Sequence, residues 1–168
     1  NRAAMKHVRV RSNLRIHQLL EKHEAEIVEA YHAKLHAPEN RERFPHYQSL
    51  TEQQSSWNHR MVLHNLMVAV RTRERAVFMA YCGDIAEARH AQGFTCAEVC
   101  GALELLNDIC TRTLLEDPES EGMQDRVFEH LTMTMRIGAD QAQQVFDDHD
   151  AALARDREDA DTGVYESP

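Results

Sequence analysis

Apolar side chains recur at steps of three and four residues along most of the chain, and only 6 Gly and 4 Pro among 168 residues interrupt them. That period is the signature of helices with one buried face, and a chain so poor in breakers has few places to turn. The expectation is an all-α fold, a bundle of five to six helices, with no sheet. At this length, and with 42% apolar residues spread throughout, one core and one domain follow.

The breaks can be placed individually. From Ser12, a natural N-cap, the positions Leu14, Ile16, Leu19, Leu20, His23, Ile27, Tyr31 and Leu35 share one face of a first helix. Pro38 and Pro45 then turn the chain, with Phe44, Tyr47 and Leu50 available to pin the loop to the core. Thr51 and Gln54 have the form of a capping box, and Trp57, Met61, His64, Met67 and Val68 continue a second helical stripe to about Val70. A break near Thr72 precedes a third helix through Val77, Phe78, Tyr81, Cys82 and Ile85.

Gly93 can end that helix in the left-handed conformation, and Thr95 with Glu98 forms a second capping box. The fourth helix buries Val99, Ala102, Leu103, Leu106, Ile109, Cys110 and Leu114. "EDPESEG" supplies the next turn, and Met123, Val127, Leu131, Met135, Gly138, Ala142, Val145 and Phe146 mark the last helix. Residues 12–146 are therefore read as the helical domain. The acidic stretch 147–168 is read as a tail or linker that frays, since it offers few apolar anchors. Asn1 to Ala4, ahead of Met5, are read as an appended remnant.

Charge excludes one class of partner. A formal charge of −9 and acids interleaved with the basic residues would repel a phosphate backbone, so no nucleic acid is expected. No apolar run approaches the ~18–20 residues that span a bilayer, so no membrane is expected and the cytoplasm is the anticipated location. Cys82, Cys96, Cys100 and Cys110 sit inside helical patterns and read as reduced thiols.

Several constellations invite a chemical reading. Glu29/His32 and Glu87/His90 are Glu-x-x-His pairs of the kind that bind di-iron in carboxylate bundles, but the first lies on the opening helix with no glutamate-bearing helix before it. His32 and His36, at i and i+4, face the same side of a helix; no sequence motif supplies a third ligand, so adventitious surface binding is the reading, and no metal or cofactor is expected. Cys96 lies in a first helical turn, where the dipole can lower a thiol pKa, although Cys96 and Cys100 read better as small buried hydrophobes. Neither a Gly-x-Ser-x-Gly elbow nor a Gly-rich phosphate loop is present, and no enzyme is expected. One alternative remains: His59 or His64 on one helix and His90 near the end of the next are spaced like the distal and proximal haem positions of a globin.

The run "DIAEARHAQGFTCAEVCGALELLNDICTRTLL", through Arg89, Gly93, Thr95, Glu98, Val99, Ala102 and Leu103, resembles the RsbRD-type N-terminal domain, the RsbT co-antagonist sensor domain. "LLEKHEAEIVEAYHAKL" is similar to that family's opening helix, and the loop bearing Tyr47 occupies the expected place, so the likeness covers most of residues 12–146. The resemblance implies a globin-like helical input domain without haem. It also implies a homodimer that passes ligand or partner binding to the output domain of a bacterial signalling protein.

Overall fold

Thr51 and Thr95 start helices by reciprocal bonding. The Gln54 N–H donates to Thr51 Oγ1 at 3.2 Å while the Thr51 N–H donates to Gln54 Oε1 at 3.1 Å. Glu98 N–H and Thr95 Oγ1, and Thr95 N–H and Glu98 Oε2, repeat the arrangement at 3.2 and 2.8 Å. Each box satisfies two donors that a helix start would leave orphaned. The computed structural model describes residues 11–163 and places six α-helices there. They are α1 (Ser12–Leu35), α2 (Glu52–Thr72), α3 (Arg75–Ala91), α4 (Cys96–Glu116), α5 (Gln124–Val127) and α6 (Met133–Thr162). No strand occurs among the described residues, and none of their helices is long and apolar enough to cross a membrane.

The stops have equally local causes. Arg73 closes α2 in the left-handed region at φ 61°, a conformation uncommon outside glycine, and the chain restarts two residues later. Gly93 takes φ 87° after α3, so that its N–H reaches the His90 carbonyl and the Phe94 N–H the Arg89 carbonyl, both at 3.0 Å. The break near Thr72 and the corner at Gly93 and Thr95 are thus where the sequence put them. Between α1 and α2 the chain makes 3-10 turns at Pro38–Asn40 and His46–Ser49, and Phe44 and Tyr47 are buried as expected.

The helices form a closed circuit in which α1 packs on α2, α2 on α3, α3 on α6, α6 on α4 and α4 on α1. The α3–α6 seam is the most extensive. Its closeness is set by Gly138, where a Cβ would lie 2.7 Å from Cys82 Sγ. Ile16, Leu20, Ile27, Leu35, Leu63, Leu66, Phe78, Leu106, Leu114 and Leu131 are fully enclosed in the centre.

Four details depart from the sequence reading. Ser12 is the first helical residue and caps nothing; its Oγ pairs with His130 Nε2 at 3.0 Å. Leu14 is exposed. On α2 the buried face is Ser55, His59, Val62, Leu63, Leu66, Met67, Ala69 and Val70, whereas Trp57 is 64% exposed and His64 is exposed as well. Lastly, helix does not stop at Asp147. A π-helical turn at Phe128–Thr132 joins α5 to α6 with helical backbone angles throughout, and α6 continues to Thr162, its residues beyond Asp150 almost wholly exposed. The end of the acidic stretch, 164–168, and residues 1–4, read from the sequence as a remnant, lie outside the described residues.

Candidate functional site

The i, i+4 spacing puts His32 and His36 side by side on α1, with ring centroids 4.4 Å apart. Facing them from α2 is His59. Its ring centroid is 5.3 Å from that of His32 and 6.3 Å from that of His36, and it meets the Tyr31 ring edge-on at 4.9 Å. One nitrogen from each of the three imidazoles lies within 4.8 Å of the others. Among the described residues no other group of three or more His, Cys, Asp or Glu side chains comes this close. The third donor, which the sequence pattern did not supply, comes from a different helix.

His59 is only 3% exposed, and neither ring nitrogen has a hydrogen-bond partner; His36 Nε2 is also buried and unpartnered. An unmet buried polar atom costs roughly 1–3 kcal/mol, so an imidazole with two of them is a poor filler for a core position. Burial, reinforced by His32 and His36 beside it, pushes the His59 pKa down to about 4. Burial first, then the proximity of His32, also lowers that of His36. Both rings are therefore neutral at physiological pH and keep a lone pair.

The cluster sits between two spaces. Outside lies a groove of about 600 Å³ lined by His32 and His59 together with Glu21, Glu24, Glu29, Glu52, Lys22 and Arg60, four carboxylates against two cations. Inside is a cavity of about 30 Å³ lined by His59, Tyr31, Tyr47, Asn58, Tyr81 and Arg89. Tyr31 donates its hydroxyl to the Ala102 carbonyl at 3.0 Å. Arg89, 5% exposed, donates Nη1 to Gln92 Oε1 at 2.8 Å and lies over the rings of Phe94 and Tyr47, leaving its Nε without a partner.

The three haem candidates stand apart. His59 is in the seam just described, and His64, five residues on and so roughly 140° around the helix, is exposed. His90, at the end of α3, stacks on His149 of α6 with centroids 3.8 Å apart and touches Phe146 edge-on. Glu87 turns to the same partner, its Oε2 lying 2.7 Å from His149 Nε2, while Glu29 lines the groove beside His32. Of the two spaces that His59 lines, the inner cavity of about 30 Å³ is an order of magnitude below the roughly 300 Å³ at which small-molecule pockets begin, whereas the outer groove of about 600 Å³ is above it.

Cys96 and Cys100 come within 3.7 Å, sulfur to sulfur. Contrary to the lowered thiol pKa that a first helical turn can produce, burial raises Cys96 and pushes Cys100 up to about 12. Deeper in, the same burial holds Cys82 and Cys110 at about 12.

No protein-family model matches this chain, and neither does any curated protein sequence or any solved structure.

Proposed function

We propose that the chain is a non-catalytic input domain of a bacterial signal-transduction protein, the globin-like, homodimeric, cytoplasmic kind implied by its resemblance to RsbRD-type N-terminal domains. It relays the binding of a ligand or partner to an output domain through its last helix. The observation that carries this reading is the continuity of α6. Its first half contributes Met135, Gly138, Ala142, Val145 and Phe146 to the core, and its second half runs unbroken into solvent. A helix anchored this way moves as a rod, so a small shift at the α3–α6 seam is delivered to whatever is attached beyond it.

Helical phase provides the test. One to four alanines are inserted at Asp156 in a fusion that joins α6 to the signalling helix of a histidine kinase. Two residues rotate the distal end by about 200° and four by about 400°, nearly a full turn, so activity should fall with two and recover with four. Activity indifferent to the insertion length would reduce α6 to a tether and end the relay reading. A visible absorption spectrum separates the haem alternative through His90 with His59 or His64: a Soret band lost in His90→Ala would replace the proposal.

A further inference from the structure

We propose that His32, His36 and His59 bind one late first-row divalent cation, zinc above all, between α1 and α2, with a fourth position open to the acidic groove. The inference stands whether or not the chain is an input domain.

Three observations carry it. The first is the donor set, three imidazoles with no carboxylate among them. That suits zinc, copper, nickel and cobalt, and not calcium or magnesium, which take oxygen. The second is geometry. Nitrogens about 2.0–2.1 Å from a tetrahedral zinc stand about 3.3 Å from one another, and the present limit of 4.8 Å would be closed by rotations of His32 and His36, both only half-buried. The third is His59 itself, deeply buried with both nitrogens unpartnered. An aromatic contact with Tyr31 alone would be served as well by phenylalanine, which brings no polar atom to satisfy.

The surroundings provide what such a site needs. His59 also lines the inner cavity, whose 30 Å³ is ample for one water that could hold the ring in its tautomer. Glu29 and Glu52 line the groove, where their charge would offset that of the cation. Three protein ligands and one open position are the arrangement of zinc sites that exchange a water or an outside ligand. Because the donors come from two helices, the ion would also fasten α1 to α2 in the folded chain only, raising its stability by mass action.

The experiment uses the whole chain stripped with EDTA. Titration with Zn(II) by calorimetry should give one ion per chain, Co(II) should develop visible bands of a low-coordinate nitrogen site, and Zn(II) should raise the thermal midpoint. His59→Phe, which preserves the ring contact with Tyr31, and His36→Gln should each weaken binding by more than the roughly 10- to 100-fold that an outer-shell partner costs, with circular dichroism unchanged in EDTA. His17→Gln, on the same helix outside the cluster, should bind as the parent does. If His59→Phe fails to fold, the half-buried His32→Asn takes its place beside His36→Gln. Absence of stoichiometric binding to the parent chain would overturn the proposal, as would undiminished binding to folded variants lacking a cluster histidine.

Discussion

Glu98 joins the α4 cap to the preceding loop through one carboxylate. Only 2% exposed, it accepts from the Thr95 and His46 backbone N–H groups, both at 2.8 Å, and its Oε2 lies 2.7 Å from His46 Nδ1. Burial opposes its charge, but those donors outweigh burial and its pKa ends below the ordinary value. Glu98→Ala would strand two backbone donors and should cost about 2–4 kcal/mol in urea unfolding, with Glu98→Gln costing less because its amide oxygen still accepts. Asp117 is a second such node. Lys22 Nζ and His23 Nε2 lie 2.8 and 2.7 Å from its Oδ2, and the Glu119 N–H donates to Oδ1. Lys22, then His23, then that N–H hold Asp117 well below the carboxylate range. His23, with Asp117 on one nitrogen and Glu26 on the other, donates from both when protonated, and these carboxylates raise its pKa above 6.5. The depressed acid contributes stability above its unfolded value of 3.8, lost as pH falls through its folded one; the raised imidazole contributes below 6.5, lost as pH rises through its folded one. The stability gap between the parent and Asp117→Asn should therefore be widest between about pH 4 and 6.5, read from urea midpoints across pH.

At the scale of the helices, the α3–α6 seam depends on the missing side chain of Gly138. Alanine there gains up to about 1 kcal/mol in helix propensity, but its Cβ would meet Cys82 Sγ at 2.7 Å and crowd Phe78. Overpacking costs about 1–3 kcal/mol, so Gly138→Ala should lower the thermal midpoint despite the better helix former, and an unchanged midpoint would mean that the seam yields easily. The helix boundaries were legible because their causes are local: Thr51 with Gln54, Thr95 with Glu98, and Gly93 each act within a few residues. The phase of α2 was not. Assigning Trp57 and His64 to the buried stripe was natural from period and hydrophobicity, yet α2 packs against both α1 and α3, which widens its buried face and turns Trp57 outward. The same rotation carries His59 inward. One half of the histidine cluster, the His32/His36 pair, was visible as an i, i+4 repeat, but the other half depends on how two helices meet, and no spacing within either one encodes that. The Cys96 thiol shows the same limit, because its position in a first turn was readable while the burial that raises its pKa was not.

For the molecule as a whole, the question is where folding ends along α6. Gly138, Ala142, Val145 and Phe146 are buried, whereas almost every residue beyond Asp150 is exposed. The acidic composition that suggested a frayed tail gives instead a solvated helix, since 30 residues exceed the length at which isolated helices become marginal and the first half nucleates the second. Such an extension adds helix without adding core. Ending the chain after Asp150 should reduce the helical circular dichroism signal while shifting the thermal midpoint by no more than about 2 °C, the scale of a surface change of roughly 0.5 kcal/mol in a domain of this size. A much larger drop would show that the extension folds back on the bundle or is covered by a second copy, and a rod so covered could not swing freely to carry a signal. A small drop leaves residues 151–162 as a solvated helix held only through the part of α6 packed on α3 and α4, the condition under which rotation or translation at that root would be transmitted outward.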